Sequence, residues 1–366
     1  MSKNVKIFGA ALDATDHPTK LLIKHSYLNR LAQNLIDLSA DFKDPYEGFV
    51  LHSNLLSREK FLKIGKFNIS SWLRPKPNIQ DLQLLTLLEF QRFVNNGELE
   101  RYSIALEKFI EDKVFPGVSL MIGVDHSFSG GVLRAMAKKY GAVNILVIVF
   151  DAHFDAIPAS ISLKLAKYAK AHKDEIHSLI DLDSIDENIE IKDTYSCASF
   201  IDYLIKENIV IPQNLIVFGC QDYPSKELKS KSDSNVQDYV NYYLNFERKG
   251  VKFVSVDEDR KEMIESLKKI LKTVSTPYVY ISFDVDVSAF KEVLATRFMN
   301  AIGIEKEVIL NAANEIKNYM RSRNSNLIGV DLMEIETYML NKELKKSGRK
   351  DNTIELCDEF LKIFFE

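Results

Sequence analysis

The sequence predicts an α/β protein: a three-layer α/β/α arrangement built on a doubly wound, mainly parallel sheet. Two observations carry that reading. Apolar, β-branched runs recur along the 366 residues and alternate with helix-like stretches, as a parallel sheet with helical crossovers requires. Ligand-type side chains gather just after three of those runs, where open α/β sheets place their chemistry.

Taken in chain order, strands are expected at residues 5–9, 118–122, 145–150, 215–219, 251–256, 278–284 and 327–332. Helical patterns lie between them at 131–140, 260–273 and 306–319. Right-handed crossovers put such helices on both faces of the sheet. Residues 21–111 differ: long helical stretches at 21–38 and 81–95, with no clear strand alternation, suggest a helical elaboration over the sheet. The polar run 229–235 reads as a loop. Residues 354–366 place Leu356, Phe360, Leu361 and Phe364 at helix-like spacing, an apolar face that docks on the body or on a neighbouring subunit.

Composition fits a soluble enzyme. With 46% hydrophobic residues the chain buries a large core, and the site groups, spread from His126 to Asp286, must meet in space, so residues 1–366 read as one domain. A net charge of −4 with mixed signs and no basic stripe gives no electrostatic case for nucleic acid or an anionic membrane. Three cysteines (Cys197, Cys220 and Cys357) without metal-type spacing fit a reducing compartment. No apolar run reaches membrane-spanning length and no cleavage-like leader is seen, so a cytoplasmic location is expected.

The chemistry lies in three groups. His126 sits in Gly123-Val124-Asp125-His126-Ser127; Asp151, His153 and Asp155 sit in Asp-Ala-His-Phe-Asp; Asp284 and Asp286 sit in Ser-Phe-Asp-Val-Asp. Strand alternation would point residues at i, i+2 and i+4 the same way and bring the middle trio to one point. Four gathered aspartates repel one another unless cations intervene. Their formal −4 is balanced by two divalent ions, and an oxygen-rich set with some imidazole and no thiolate favours Mn²⁺ over zinc. Asp-His alone is an ordinary cap, but Asp-x-His-x-Asp together with Asp-x-Asp, each after an apolar strand, favours a binuclear centre.

The order Gly-x-Asp-His-Ser, Asp-Ala-His-x-Asp, Ser-x-Asp-x-Asp resembles the ureohydrolase superfamily, which contains arginase, agmatinase and formiminoglutamase. Gly329-Val330-Asp331-Leu332-Met333-Glu334 resembles its late strand, whose acidic residue meets the substrate's cationic nitrogens. The resemblance covers about residues 118–335. It implies an arginase-like fold, two Mn²⁺ per chain, hydrolysis of a linear C–N bond in a small guanidino or formimino compound, and self-association into homo-oligomers. It assigns His126, Asp151, Asp155 and Asp284 to one metal and His153, Asp151, Asp284 and Asp286 to the other. It also gives Asp155 a proton-moving role and Glu334 the grip on the substrate.

Departures bear on the substrate. Phe154 stands where arginases and agmatinases usually have threonine, a form more typical of formiminoglutamases. Ser196 or Cys197 stands where those enzymes carry a shuttle histidine, as formiminoglutamases similarly carry serine. These two features favour a formiminoglutamase-like activity slightly over an agmatinase-like or arginase-like one. After Asp286 the family's Pro- and Gly-rich loop is replaced by a segment containing Lys291 and Arg297, either of which is a candidate grip for a substrate carboxylate. The altered loop and missing histidine also leave a non-catalytic metal-binding relative as the alternative. Residues 157–193 look like an insertion beside the site, with a helix at 161–171 and an acidic run at 181–190, and are a candidate lid. His172 and His177 within it are expected to be exposed.

Overall fold

Apolar residues on both sides of nearly every strand dictate a sheet covered on both faces. The computed structural model describes residues 4–14, 18–36, 42–174, 192–256, 260–299, 303–344 and 347–366. Its strands are β1 (Val5–Ala10), β2 (Phe61–Lys66), β3 (Val118–Gly123), β4 (Ile145–Phe150), β5 (Leu215–Cys220), β6 (Lys252–Ser255), β7 (Tyr278–Asp284) and β8 (Asn326–Met333). They form one eight-stranded sheet in the order β2-β1-β3-β8-β7-β4-β5-β6. Every adjacent pair is parallel.

In β4, Ile145, Val147 and Val149 enter one core while Leu146, Ile148 and Phe150 enter the other. The first core is shared with α1 (Pro18–Ala32), α3 (Leu87–Asn95), α4 (Glu98–Phe109), α5 (Ser129–Tyr140), α7 (Phe200–Lys206) and α9 (Ser234–Lys249). The second takes α2 (Pro45–His52), α10 (Arg260–Thr273), α11 (Lys306–Arg323) and α12 (Thr353–Phe365). This is the expected three-layer arrangement.

Three sequence readings need correction. Strand β2 lies in the stretch read as purely helical. It is an edge strand in which only Phe61 is buried, so Leu-Lys-Ile-Gly-Lys shows no apolar run. The helix read over 81–95 starts at Leu87, because Thr86 takes the N-cap and its Oγ1 accepts the Glu89 N–H at 3.2 Å; a 3₁₀ turn, Ile79–Leu84, precedes it. Within 229–235, α8 (Lys226–Ser230) and the start of α9 leave only the residues between them as a loop.

The apolar face of α12 docks on the body. The Phe360 ring stacks on Phe283 at 4.4 Å between centroids and meets Phe150 edge-on at 5.2 Å. Residues 157–171 contribute α6 (Ala159–Ala171), which packs on α9. Asp193 ties the two ends of the insertion together by accepting from the Ser160 N–H and Oγ at 2.9 and 2.6 Å. The acidic run 181–190 and His177 lie outside the described residues. His172 closes α6, its ring against Tyr168 and its Nδ1 at 2.9 Å from the Tyr168 carbonyl. Among the described residues no helix is long and apolar enough to cross a membrane.

Candidate metal centre

Four neighbouring strands, β3, β8, β7 and β4, end on the same side of the sheet, and their outgoing turns supply the site. After β3, the Asp125 side chain accepts from the Ser127 N–H at 3.1 Å and closes a 3₁₀ turn that opens with His126. Asp284 ends β7, and its Oδ1 accepts from the Asp286 N–H at 2.9 Å, folding the next turn. Residues 151–157 do not continue β4, so convergence by strand alternation is replaced by a folded turn. Its amides are claimed by carboxylates: Ala152 N–H by Asp286 at 3.1 Å, His153 N–H by Asp151 at 2.6 Å and Phe154 N–H by Asp222 at 3.3 Å. Asp155 then adopts φ +54°, held by its carbonyl accepting from Ile201 N–H at 3.0 Å. Left-handed backbone at a non-glycine residue persists only where its surroundings impose it, often at functional sites.

Two clusters result. His126 Nδ1 lies 3.1 Å from Asp151 Oδ2, 2.9 Å from Asp155 Oδ2 and 3.2 Å from Asp284 Oδ2. His153 Nδ1 lies 2.9 Å from Asp286 Oδ2 and 3.5 Å from Asp151 Oδ1. Asp151 thus turns one oxygen to each cluster. In each, one ligand atom per residue lies within 4.8 Å of the others, and Asp284 belongs to the first cluster only.

The opposite edge of His126 fixes its tautomer. Ser282 Oγ donates to Asp331 Oδ1 at 2.6 Å and stands 2.7 Å from His126 Nε2, so the proton between Ser282 and the ring must come from Nε2. In the neutral ring Nδ1 then presents a lone pair toward three carboxylate oxygens. It has no hydrogen-bond partner, and neither do Asp151 Oδ2 and Asp286 Oδ2, all buried. Lone pairs converging on a common centre fit a cation, and the donor set fits a hard divalent one. Ser282 and Asp331 are the residues that the sequence reading missed as supports. A polar residue inside an apolar strand run was the available signal, and the β7–β8 register sets the two side by side.

The charges are strained accordingly. Burial, then the nearby Asp151, pushes Asp155 up to about 7. Burial and the charges of Asp286 and Asp151 hold Asp284 well above the carboxylate range. Burial opposes charge on His126, but Asp151, Asp155 and Asp284 outweigh it and raise its pKa well above the ordinary value.

Beside the clusters, β8 ends and Glu334 turns back at φ +59°, its N–H bonded to Val124 O at 3.1 Å and its carbonyl to Arg297 N–H at 2.7 Å. Glu334 Oε1 accepts from the His126 N–H at 3.1 Å, whereas Oε2 is buried without a partner. A cavity of about 170 Å³ is lined by Glu334, His153, Asp155, Asp284, Asp286, Cys197, Ala198 and Phe298. Burial pushes Glu334 up to about 8, although Arg297 pulls it down.

Arg297 is not free to grip a carboxylate. It is buried, with Nη1 3.0 Å from Asp125 and 3.7 Å from Glu334 and Nε 3.4 Å from Asp13, which also pairs with Lys24 at 3.0 Å. Lys291 pairs with Glu305 at 3.0 Å and is absent from the cavity lining. Phe154 is fully buried against Tyr243, Phe246 and Phe253, turned into the core and away from the cavity. Of the two residues at the shuttle position, Cys197 lines the cavity, while Ser196 Oγ is 3.0 Å from Ser199 Oγ. Burial holds the Cys197 thiol far above its usual pKa, which opposes a thiolate nucleophile.

Residues 58–347 match the family model described as the arginase family. An arginase of Staphylococcus aureus is 22% identical over 240 residues, 65% of this chain and 67% of that protein. Proclavaminate amidino hydrolase from Streptomyces clavuligerus superposes with a TM-score of 0.56 at 16% identity, covering 100% of this chain and 92% of that one. Formimidoylglutamase from Bacillus subtilis gives 0.54 at 16%, covering 100% and 87%. The structural likeness is one of fold, and the three relatives differ in the substrates that their names state.

Proposed function

The chain belongs to the arginase family, and on that premise we propose that it hydrolyses a C–N bond of a small guanidino or formimino compound at a centre of two divalent cations, Mn²⁺ favoured by the oxygen-rich donors. The observation that carries this reading is a pair of His/Asp clusters sharing Asp151, buried except for the half-buried His153, beside a cavity into which Glu334 presents an unpartnered carboxylate oxygen.

In this proposal His126, Asp151, Asp155 and Asp284 would hold one ion, and His153, Asp151 and Asp286 the other, with a second role for Asp284 implied by the resemblance alone. Such ions, when bound, supply positive charge and lower the pKa of water toward about 7. The protein's own groups do the rest. Asp331, through Ser282, keeps the His126 proton on Nε2 and presents Nδ1 inward. Glu334 accepts charge-assisted hydrogen bonds from the amidinium N–H groups and orients the carbon to be attacked. Asp155 takes the proton from the attacking water and returns it to the departing nitrogen, so a C–O bond forms, the C–N bond breaks, and amine or ammonia leaves.

The formiminoglutamase-like preference loses one of its two supports, because Phe154 fills the core and does not line the cavity. The test is a Mn²⁺-reconstituted sample screened for urea, ammonia or formamide release from guanidino and formimino compounds, with Glu334→Gln alongside. Release from the parent, and a loss on the order of 10²–10³-fold in kcat/KM with metal retained in Glu334→Gln, is the expected result. Full metal loading with no turnover of any compound would favour the non-catalytic alternative.

A further inference from the structure

We propose that Tyr280 is a positioning residue for the first cluster: its hydroxyl, together with that of Ser282, fixes Asp331 as an acceptor and so sets the direction of the hydrogen-bond chain that ends at His126. The inference rests on the metal reading of that cluster and is independent of the reaction catalysed there.

The placement follows from strand pairing. In the parallel register of β7 and β8, Tyr280 lies opposite Gly329 and Ser282 lies opposite Asp331. Alternation puts Tyr280 and Ser282 on the same face of the sheet, the one that meets the first core. A Cβ at position 329 would come within 2.8 and 2.9 Å of the Tyr280 ring, so the glycine leaves the space that the ring needs. The phenol then donates to Asp331 Oδ2, while Ser282 Oγ donates to Oδ1 at 2.6 Å. Tyr280, Ser282, Asp331 and His126 are each at most 1% exposed, so solvent is not at hand to replace a lost donor.

Two donors on one buried carboxylate decide what each group does. Burial and the neighbouring Asp331 push the Tyr280 phenol well above its ordinary pKa, so it remains a donor. With Oδ2 engaged by the phenol, the Ser282 proton is committed to Oδ1, and the serine oxygen is left to accept from His126 Nε2 at 2.7 Å. Without the phenol, Oδ2 is stranded in the core and the carboxylate loses the hold that orients it. Ser282 can then turn its proton to the ring, which would leave the imidazole proton on Nδ1, facing the cluster with a donor where a cation needs a lone pair. The Ser129 hydroxyl lies beside Tyr280 and Asp331 and makes no hydrogen bond. It is the one substitute donor that a test must remove.

The experiment measures Mn²⁺ affinities of the full-length chain by chelator competition, with electron paramagnetic resonance to tell a coupled pair of ions from a lone one. Tyr280→Phe keeps the ring and loses the hydroxyl. It should weaken one ion by about 10-fold or more, leave the other unchanged, and show a lone-ion spectrum at limiting metal. Tyr280→Phe/Ser129→Ala, which also removes the substitute donor, should lose at least as much. Tyr319→Phe removes a hydroxyl of the second core that accepts from the Thr276 N–H at 3.3 Å, and should move neither affinity. In a Ser282→Ala background, where the chain to His126 is already cut, Tyr280→Phe should have no further effect on metal. A parent that binds two ions, with unchanged affinities in both Tyr280 variants or with the full loss repeated in the Ser282→Ala background, would overturn the proposal and leave the metal reading standing. A parent that binds no metal would overturn both.

Discussion

Two buried ionic clusters meet at this site and solve the same problem differently. In one, the carboxylates of Asp13, Asp125 and Glu334 are met by Lys24 and Arg297 from the chain itself. In the other, Asp151, Asp155, Asp284 and Asp286 face two imidazoles and three backbone N–H groups, with no Lys or Arg in the cluster among the described residues, and His126 Nδ1, Asp151 Oδ2 and Asp286 Oδ2 are left without hydrogen bonds. A third buried carboxylate, that of Asp351, shows the ordinary neutral solution. It accepts from the N–H groups of Leu294, Ala295 and Asn341, each at 2.9 Å, and from Thr353 Oγ1 at 2.6 Å. Burying charge is tolerable when partners are supplied. We propose that the cluster that lacks them takes its cations from solution.

Removing charge from the deficient cluster should have the largest effect and opposite signs with and without metal. Asp284→Asn is expected to lose activity by on the order of 10³-fold or more. Without added metal it should melt above the parent, because repulsion among the aspartates falls. Activity assays and thermal denaturation in chelator and in Mn²⁺ read both effects; a lower melting point in chelator would break the comparison. Removing a cation from the cluster that carries its own should do the reverse. Arg297→Met strands Asp125 and Glu334, while Asp13 keeps Lys24, and should cost about 3–5 kcal/mol in denaturant unfolding with or without metal.

Most of the fold was legible because its strands are buried on both sides, as in Ile-Leu-Val-Ile-Val-Phe of β4. Strand β2 was hidden because an edge strand needs no apolar run, and the start of α3 because the cap at Thr86 outweighs the apolar pattern before it. In the site, the ligand-type residues stood in readable motifs. What escaped was long-range pairing: Arg297 stands 172 positions from Asp125, and Ser282 stands 49 from Asp331. Local spacing carries no trace of either. Phe154 misled because a motif position beside ligands was read as bearing on the substrate, whereas the folded turn sends it into the core.

Smaller effects sharpen the picture. Asp331→Asn weakens the hold on Ser282 and His126 and should reduce metal affinity by about 10–100-fold, read by competition with a chelating dye. Lys291→Ala breaks a surface pair with Glu305. It should change stability by about 0–1 kcal/mol and leave KM unaltered, since the side chain does not reach the cavity.

The central claim, that the unmatched cluster is completed by divalent cations, is tested most directly by elemental analysis of the purified chain after Mn²⁺ reconstitution and removal of free metal, with Asp151→Ala measured alongside. The account predicts two ions per parent chain and a loss of metal in the variant, which removes the residue that faces both clusters. A parent chain that retains no metal, or a variant that retains both ions, would contradict it.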